Sequence, residues 1–207
     1  MRNQLAAWIF PMLIITSGVN AGAEPILVLV HNYAAVESAV LEQAEKTAAR
    51  VLETGGVQVH WVHCPQNSEQ LQQCDKEPDP SVLVLDVLPA GVTRRGAPSG
   101  SLGFAVPSKL GEFGAFAGIF YDRVKQLSSG GFSEPVILGH AIAHELGHLL
   151  LGFEGHSEDG IMKAEWHPKE LKRAENATLV FEAGQRSRIR QNLRTRLRAA
   201  DIADHTF

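Results

Sequence analysis

The chain has 207 residues, of which 44% are hydrophobic and 20% are charged, and its formal net charge is −4. This composition is typical of one globular domain with an ordinary core, and the sequence contains no low-complexity tract or internal repeat. A weakly acidic chain has no electrostatic reason to bind nucleic acid, so no nucleic-acid partner is expected.

Residues 1–23 have the pattern of a secretory signal peptide. Arg2 supplies a positive charge, residues 5–15 are apolar, and Val19-Asn20-Ala21 or Ala21-Gly22-Ala23 offers a cleavage site of small residues. The apolar run is short for a transmembrane helix. We therefore expect a secreted or periplasmic protein, which would associate with a membrane only if this segment stays uncleaved.

Apolar periodicity predicts a series of strands and helices along the rest of the chain. Strands are expected at residues 26–30, 57–63, 81–88, 102–106 and 115–121, and helices at 34–53, 122–128, 136–151, 168–174 and 182–203. The first strand is wholly apolar, as in strands buried on both faces, and a long crossover helix follows it. This order predicts an α/β (α+β) domain with a mixed, mostly parallel sheet.

Cys64 and Cys74 lie in a Pro- and Gln-rich connection between the second and third predicted strands. In an exported protein, two cysteines this close in sequence are expected to form a local disulfide. Neither belongs to a C-x-x-C pair, so a metal or redox role is not favoured.

Residues 144–148 read HELGH, an H-E-x-x-H pattern inside the predicted 136–151 helix. His144 and His148 lie one turn apart on one face, so both imidazoles can bind one metal ion while Glu145 lies beside the same opening. Neutral imidazole suits zinc, and the Glu of this pattern can act as general base in peptide hydrolysis. Gly152 is placed to end the helix. Two histidines that only pack on an amphipathic helix are the alternative interpretation.

Other histidines are interpreted differently. His140 lies one turn before His144, but it is about 12 Å along the helix axis from His148, too far to share one ion with it. A supporting role is therefore expected for it. Packed or surface positions are expected for His31, His60 and His63.

A catalytic zinc ion usually has three protein ligands. After the turn at Gly152, the best candidate is His156. Four other groups in the same part of the chain compete with it: Glu154, Asp159, Glu165 and His167.

These residues resemble the metzincin metalloprotease signature, H-E-x-x-H-x-x-G-x-x-H followed by a turn that carries a Met. The matching positions are His144, Glu145, His148, Gly152, His156 and Met162. Ser157 after the third His makes the pattern similar to that of the matrixin branch, and the whole block is matrixin- or archaemetzincin-like. Gly152 follows His148 by four residues rather than three, and His156 follows it by eight rather than six.

The resemblance implies one catalytic domain over residues 24–207, with the sheet and zinc helix in 24–156 and the Met turn and C-terminal helices in 157–207. It implies one Zn²⁺ ion held by His144, His148 and His156. It also implies that Glu145 is the catalytic residue, with structural support from Met162 and Gly152.

The resemblance further implies an antiparallel edge strand at 102–106 that pairs with an extended peptide or protein substrate. Trp166 and His167 would form a wall of the substrate pocket.

The last predicted helix carries six arginines: Arg186, Arg188, Arg190, Arg194, Arg196 and Arg198. A basic amphipathic helix can bind an anionic membrane or nucleic acid, but such a run is more often a solvated face.

The leading hypothesis is a monomeric exported zinc endopeptidase. A zinc hydrolase with a different third ligand and another substrate, such as a cell-wall peptide, is the first alternative. A non-catalytic exported binding module that uses the edge strand and the Arg-rich helix is the second.

Overall fold

The computed structural model describes residues 25–65, 74, 79–94, 100–106, 113–152 and 155–204. The predicted signal segment therefore lies outside the described residues, as does Glu154.

Within the described residues, five strands form one sheet, and each lies within two residues of its predicted bounds. They are β1 (Ile26–Asn32), β2 (Val59–Cys64), β3 (Val82–Leu88), β4 (Gly103–Val106) and β5 (Phe116–Phe120). Their order across the sheet is β2-β1-β3-β5-β4. All neighbouring pairs are parallel except β4 and β5, which are antiparallel. The prediction of a mostly parallel sheet with an antiparallel edge strand is confirmed.

The helices likewise follow the predicted order. They are α1 (Ser38–Thr54), α2 (Tyr121–Ser128), α3 (Glu134–Leu151), α4 (Pro168–Glu175) and α5 (Ala183–Asp204). Pro135 lies in the first turn of α3, where its missing N–H costs no helical hydrogen bond. Gly152 ends α3 at a φ of 84°, and its N–H donates to His148 O. A residue with a side chain is strained at this φ, which explains why glycine stands at the end of the helix.

The core lies on one face of the sheet, where strand residues of one parity meet the helices. Ile26, Val28 and Val30 of β1 and Leu83, Leu85 and Val87 of β3 all belong to it. Helix α3 is buried around most of its surface, as expected of a helix that is apolar on nearly every side. Three of its five polar side chains, His140, His144 and Glu145, are therefore buried with it.

The opposite face of the sheet carries a second, smaller apolar cluster that includes Leu29, Val82 and Val84. Cys64 belongs to this cluster and is bonded to Cys74 with an S–S distance of 1.99 Å. The disulfide thus fastens Cys74 to the sheet. None of the helices in the described part of the chain is long and apolar enough to cross a membrane.

Helix α5 departs from the expected solvated arginine face at one position. Arg188, Arg190, Arg194 and Arg198 are exposed, but Arg196 is fully buried. It follows Ile189 and Leu193 at helical spacing, on the face that packs against the domain. Its guanidinium donates hydrogen bonds to Pro80 O at 2.8 Å and to Gly114 O, and it lies 4.8 Å from the centroid of the Phe113 ring. Arg196 therefore ties α5 to the segments that precede β3 and β5.

Replacing Arg196 by Ala is expected to lower the free energy of unfolding by about 2–4 kcal/mol, because two carbonyl groups lose a charged donor and a cavity remains. Urea unfolding of this variant and of Arg194→Ala measures the difference. Arg194 is exposed on the same helix, so its loss should change stability by about 0.5 kcal/mol or less. Equal unfolding midpoints for the two variants would contradict the anchoring role.

Candidate metal centre

Three imidazoles meet at the C-terminal half of α3. One nitrogen atom from each of His144, His148 and His156 lies within 4.8 Å of the other two. The Nε2 atoms of His144 and His148 are 3.1 Å apart. Two nitrogens bound tetrahedrally to zinc, at roughly 2.0–2.1 Å each, would be about 3.3 Å apart. The donor set and its spacing therefore fit one metal ion.

The tautomer of His144 is determined by its backbone partner. Its Nδ1 lies 2.7 Å from Ile161 O, and a carbonyl oxygen can only accept, so Nδ1 carries the proton. The lone pair is then on Nε2, the atom that faces His148. A carbonyl partner of this kind also orients the ring and raises its basicity as a ligand.

All three imidazoles have a lowered pKa. Burial lowers the pKa of His144 to about 4, with a further contribution from His156. Burial also lowers the pKa of His148 to about 3, and the neighbouring His144 and His156 act in the same direction. The pKa of the exposed His156 is lowered by partial desolvation. Near neutral pH these imidazoles are therefore uncharged, as metal ligands must be.

A tight turn after His156 carries Ile161 and Met162 under the site. Ser157 N donates to Met162 O at 3.0 Å, and Ile161 N donates to Val180 O at 3.1 Å. Met162 is fully buried, and an added Cβ on Gly147 of α3 would lie 2.8 Å from its Sδ. The turn thus packs directly against α3, and Ile161 in this turn supplies the carbonyl oxygen that orients the His144 ring.

Glu145 is a residue of α3, and its side chain lies between this helix and the edge strand β4. It is 6% exposed, and burial raises the pKa of its carboxyl to about 8. An added Cβ on Gly103 of β4 would lie 2.7 Å from Glu145 Cγ, so the strand approaches this side chain closely. A cation bound by the nearby imidazoles would favour the ionised carboxylate and oppose the effect of burial.

A cleft opens over these groups. It is lined on one side by residues 100–105, which include most of β4, and on another by residues 163–167. His144, Glu145, His148 and His156 line it as well. An extended ligand in this cleft would contact the candidate base, the three imidazoles and the edge strand together.

The competing third ligands are not part of the three-histidine cluster. Asp159 is paired with Arg173, while Glu165 and His167 line the cleft without belonging to the cluster. The fourth competitor, Glu154, lies outside the described residues. Within the described part of the chain, His156 is thus the group brought to His144 and His148.

His140 does not reach the cluster. Its Nδ1 donates to Val136 O at 2.8 Å, and its ring meets Trp166 edge-on with centroids 6.4 Å apart. Trp166 in turn contacts His144 edge-on at 5.7 Å and donates from Nε1 to Ile161 O at 3.3 Å. His140 therefore packs behind the site through Trp166.

The remaining histidines of the sheet have other partners. His31 pairs with Asp86 at 3.0 Å, His63 pairs with Glu45 at 3.2 Å, and His60 is exposed.

Solved structures share this fold. A zinc-dependent peptidase from Methanocorpusculum labreanum aligns with a TM-score of 0.52 at 15% identity, over 78% of this chain and 99% of that one. Archaemetzincin from Methanopyrus kandleri aligns with a TM-score of 0.50 at 17% identity, over 85% of this chain and 99% of that one. The fold is shared with zinc-dependent peptidases. No protein-family model matches the sequence, and a search of curated proteins found no significant match.

Sequence reasoning missed three contributors to the site: the carbonyl of Ile161 and the glycines at positions 103 and 155. Gly155 is buried directly before His156, and an added Cβ there would lie 2.6 Å from His148 Nδ1. The position of Gly155 next to the candidate third ligand was the available signal. The close approach of its backbone to His148 became visible only in three dimensions.

Replacing Gly155 by Ala is expected to weaken zinc binding about 10–100-fold, because the new methyl group displaces the His148 ring from its place in the triad. Zinc affinity measured by competition with a chromogenic chelator tests this. Gly184→Ala is the matched control, since an added Cβ at Gly184 has no atom within 4 Å. A Gly155→Ala protein with the affinity of the control would contradict the close packing.

Proposed function

We propose that this protein is an exported zinc-dependent endopeptidase of the metzincin type. The observation that carries the proposal is the meeting of His144, His148 and His156, with Glu145 beside them in one cleft. The resemblance of the fold to solved zinc-dependent peptidases supports it. A matrixin- or archaemetzincin-like signature with a longer spacing to the third histidine is part of the same proposal.

Zinc, when bound by the three imidazoles, would supply a Lewis acid for the peptide carbonyl and would lower the pKa of a water molecule. Glu145 accepts the proton from the attacking water as the new C–O bond forms. The same carboxyl then passes this proton to the leaving amine as the C–N bond breaks.

Strand β4 offers an edge along which an extended substrate can align. It pairs with β5 along one edge, and within the described residues no strand pairs with its other edge. An extended peptide can therefore add to the sheet there through backbone hydrogen bonds. Because Gly103 lies against Glu145 and both line the cleft, such a peptide would lie close to the candidate base.

Metal analysis of the purified mature chain, coupled to digestion of a peptide library, tests the proposal. One zinc per chain and cleavage that a chelator abolishes and zinc restores are expected. A chain that binds no zinc and cleaves no peptide after zinc addition would refute it in favour of a binding module. Zinc binding with hydrolysis of another substrate class would favour the other hydrolase.

Export is proposed from residues 1–23, and it places the mature enzyme outside the cell or in the periplasm. The disulfide between Cys64 and Cys74 agrees with an oxidising compartment. Cell fractionation and N-terminal sequencing of the recovered protein test this, and a mature terminus near residues 22–24 is expected.

A further inference from the structure

Two arginines, Arg94 and Arg123, line the cleft together with β4. The Arg123 guanidinium lies 4.1 Å from the centroid of the Phe120 ring, and that of Arg94 lies 4.3 Å from the centroid of Phe104. The two rings contact each other, with centroids 5.5 Å apart. One aromatic pair on two adjacent strands therefore holds both cations.

A guanidinium that stacks on a ring keeps its N–H donors around its rim. Arg123 donates from Nη1 to Ser101 O at 2.6 Å, which leaves its other donors for further partners. Both arginines are half-buried in the cleft wall, and neither forms an ion pair with a carboxylate among the described residues. Both guanidinium groups are therefore held against the cleft wall, and each retains N–H donors for a ligand.

The other charged groups that line the cleft do not neutralise this wall. Lys163 is already paired with Glu170 at 3.0 Å. Glu145 is the candidate base, and Glu165 is an exposed residue of the 163–167 side. Arg94 and Arg123 are thus cations of the β4 side that no carboxylate pairs with, over the part of the cleft that the structure describes.

We propose that Arg94 and Arg123 select peptides that carry an acidic side chain close to the cleaved bond. This inference rests on the proposed peptidase function and names its substrate class. A carboxylate can accept two parallel N–H bonds from a guanidinium, which an amide or an ammonium group cannot reproduce.

The position of the acidic residue follows from the backbone. Ser101, which holds Arg123, lies two residues before Gly103, the residue that contacts Glu145. Ser101 and Leu102 precede β4, and two residues of chain span at most about 7 Å. A peptide lying along β4 therefore places a side chain near Arg123 within about two residues of the bond above Glu145.

Matched peptides that carry Glu, Gln or Lys at each position within three residues of the cleaved bond test this on the zinc-loaded protein. We expect kcat/KM for Glu to exceed that for Gln by about tenfold or more at one position, as for a hydrogen bond to a charged group. The preference should decrease as salt is added, because screening weakens a partly exposed ion pair.

Arg123→Gln should lower the Glu-to-Gln ratio, with Arg94 alone left on this wall, and Arg123→Glu should shift the preference toward Lys. Lys125→Gln is the control, since Lys125 is an exposed cation of the same helix that does not line the cleft. The Glu-to-Gln ratio of kcat/KM for the Lys125→Gln protein should equal that of the wild type. A ratio that stays at the wild-type value in both Arg123 variants would overturn the assignment.

Binding of the same peptides to the Glu145→Gln protein, measured by fluorescence anisotropy, separates recognition from catalysis. Equal cleavage of acidic and neutral peptides would overturn the acidic preference and leave the peptidase proposal standing. If no peptide is cleaved but acidic peptides still bind at least about tenfold more tightly than neutral ones, the recognition stands and the peptidase proposal fails. Absence of both cleavage and selective binding would refute both.

Discussion

A Glu145→Gln protein is expected to bind one zinc ion per chain and to lose at least about 100-fold in kcat/KM toward peptides, the usual size of a general-base contribution. The amide has nearly the shape of the carboxyl, so the contact with Gly103 and the packing of α3 are retained. It cannot accept the proton of the attacking water. The loss should therefore fall on kcat rather than on KM, since substrate and transition state lose no shared binding contact.

Glu158→Gln is the matched control for this change. Glu158 is an exposed carboxyl near the site in sequence, but it does not line the cleft. Its replacement should leave kcat/KM within about twofold, as expected of a surface substitution away from special features. A Glu145→Gln protein that cleaves peptides at the wild-type rate with its zinc in place would refute the general-base role.

Replacing His156 by Ala is expected to weaken zinc binding by at least about 100-fold, because only His144 and His148 then remain of the cluster. Loss of a partner that merely orients a ligand costs about 10–100-fold, so loss of a ligand should cost at least that much. Activity should decrease in parallel, because a two-ligand site does not hold the ion at working concentrations. Zinc stoichiometry after dialysis and chelator competition are the measurements.

Two other histidine variants complete this test. His167→Ala removes the imidazole that competes in the sequence but lies outside the cluster, and His60→Ala removes an exposed imidazole on β2. Both should retain one zinc per chain. If His167→Ala loses the ion while His156→Ala keeps it, the third ligand has been assigned to the wrong residue.

The elements of the fold were predictable because their signals are local. Continuous apolar runs marked β1 and β3, and the three-to-four-residue spacing of apolar positions marked α1 and α3. Gly152 marked the end of α3, since glycine readily adopts the positive φ found there. The mostly parallel order followed from a crossover helix between apolar strands.

Residues whose role depends on distant contacts could not be found in this way. Arg196 looked like one of six solvated arginines, although its partners, Pro80 O and Gly114 O, lie 116 and 82 residues away in sequence. Gly103 lies beside Glu145 only because β4 turns back along β5. Sequence spacing contains no information about which strand edge passes over which helix.

The same distinction between local signals and distant contacts holds for the candidate metal centre. By itself, the sequence determined that His144 and His148 share a face with Glu145 beside them, because helical geometry relates residues four apart. Only the tertiary structure decided that His156, eight residues further on, returns to that face and that Ile161 O orients His144. The helix rigidly relates residues within one turn, whereas the position of His156 depends on the packing of Gly155 and Met162 against the buried surface of α3.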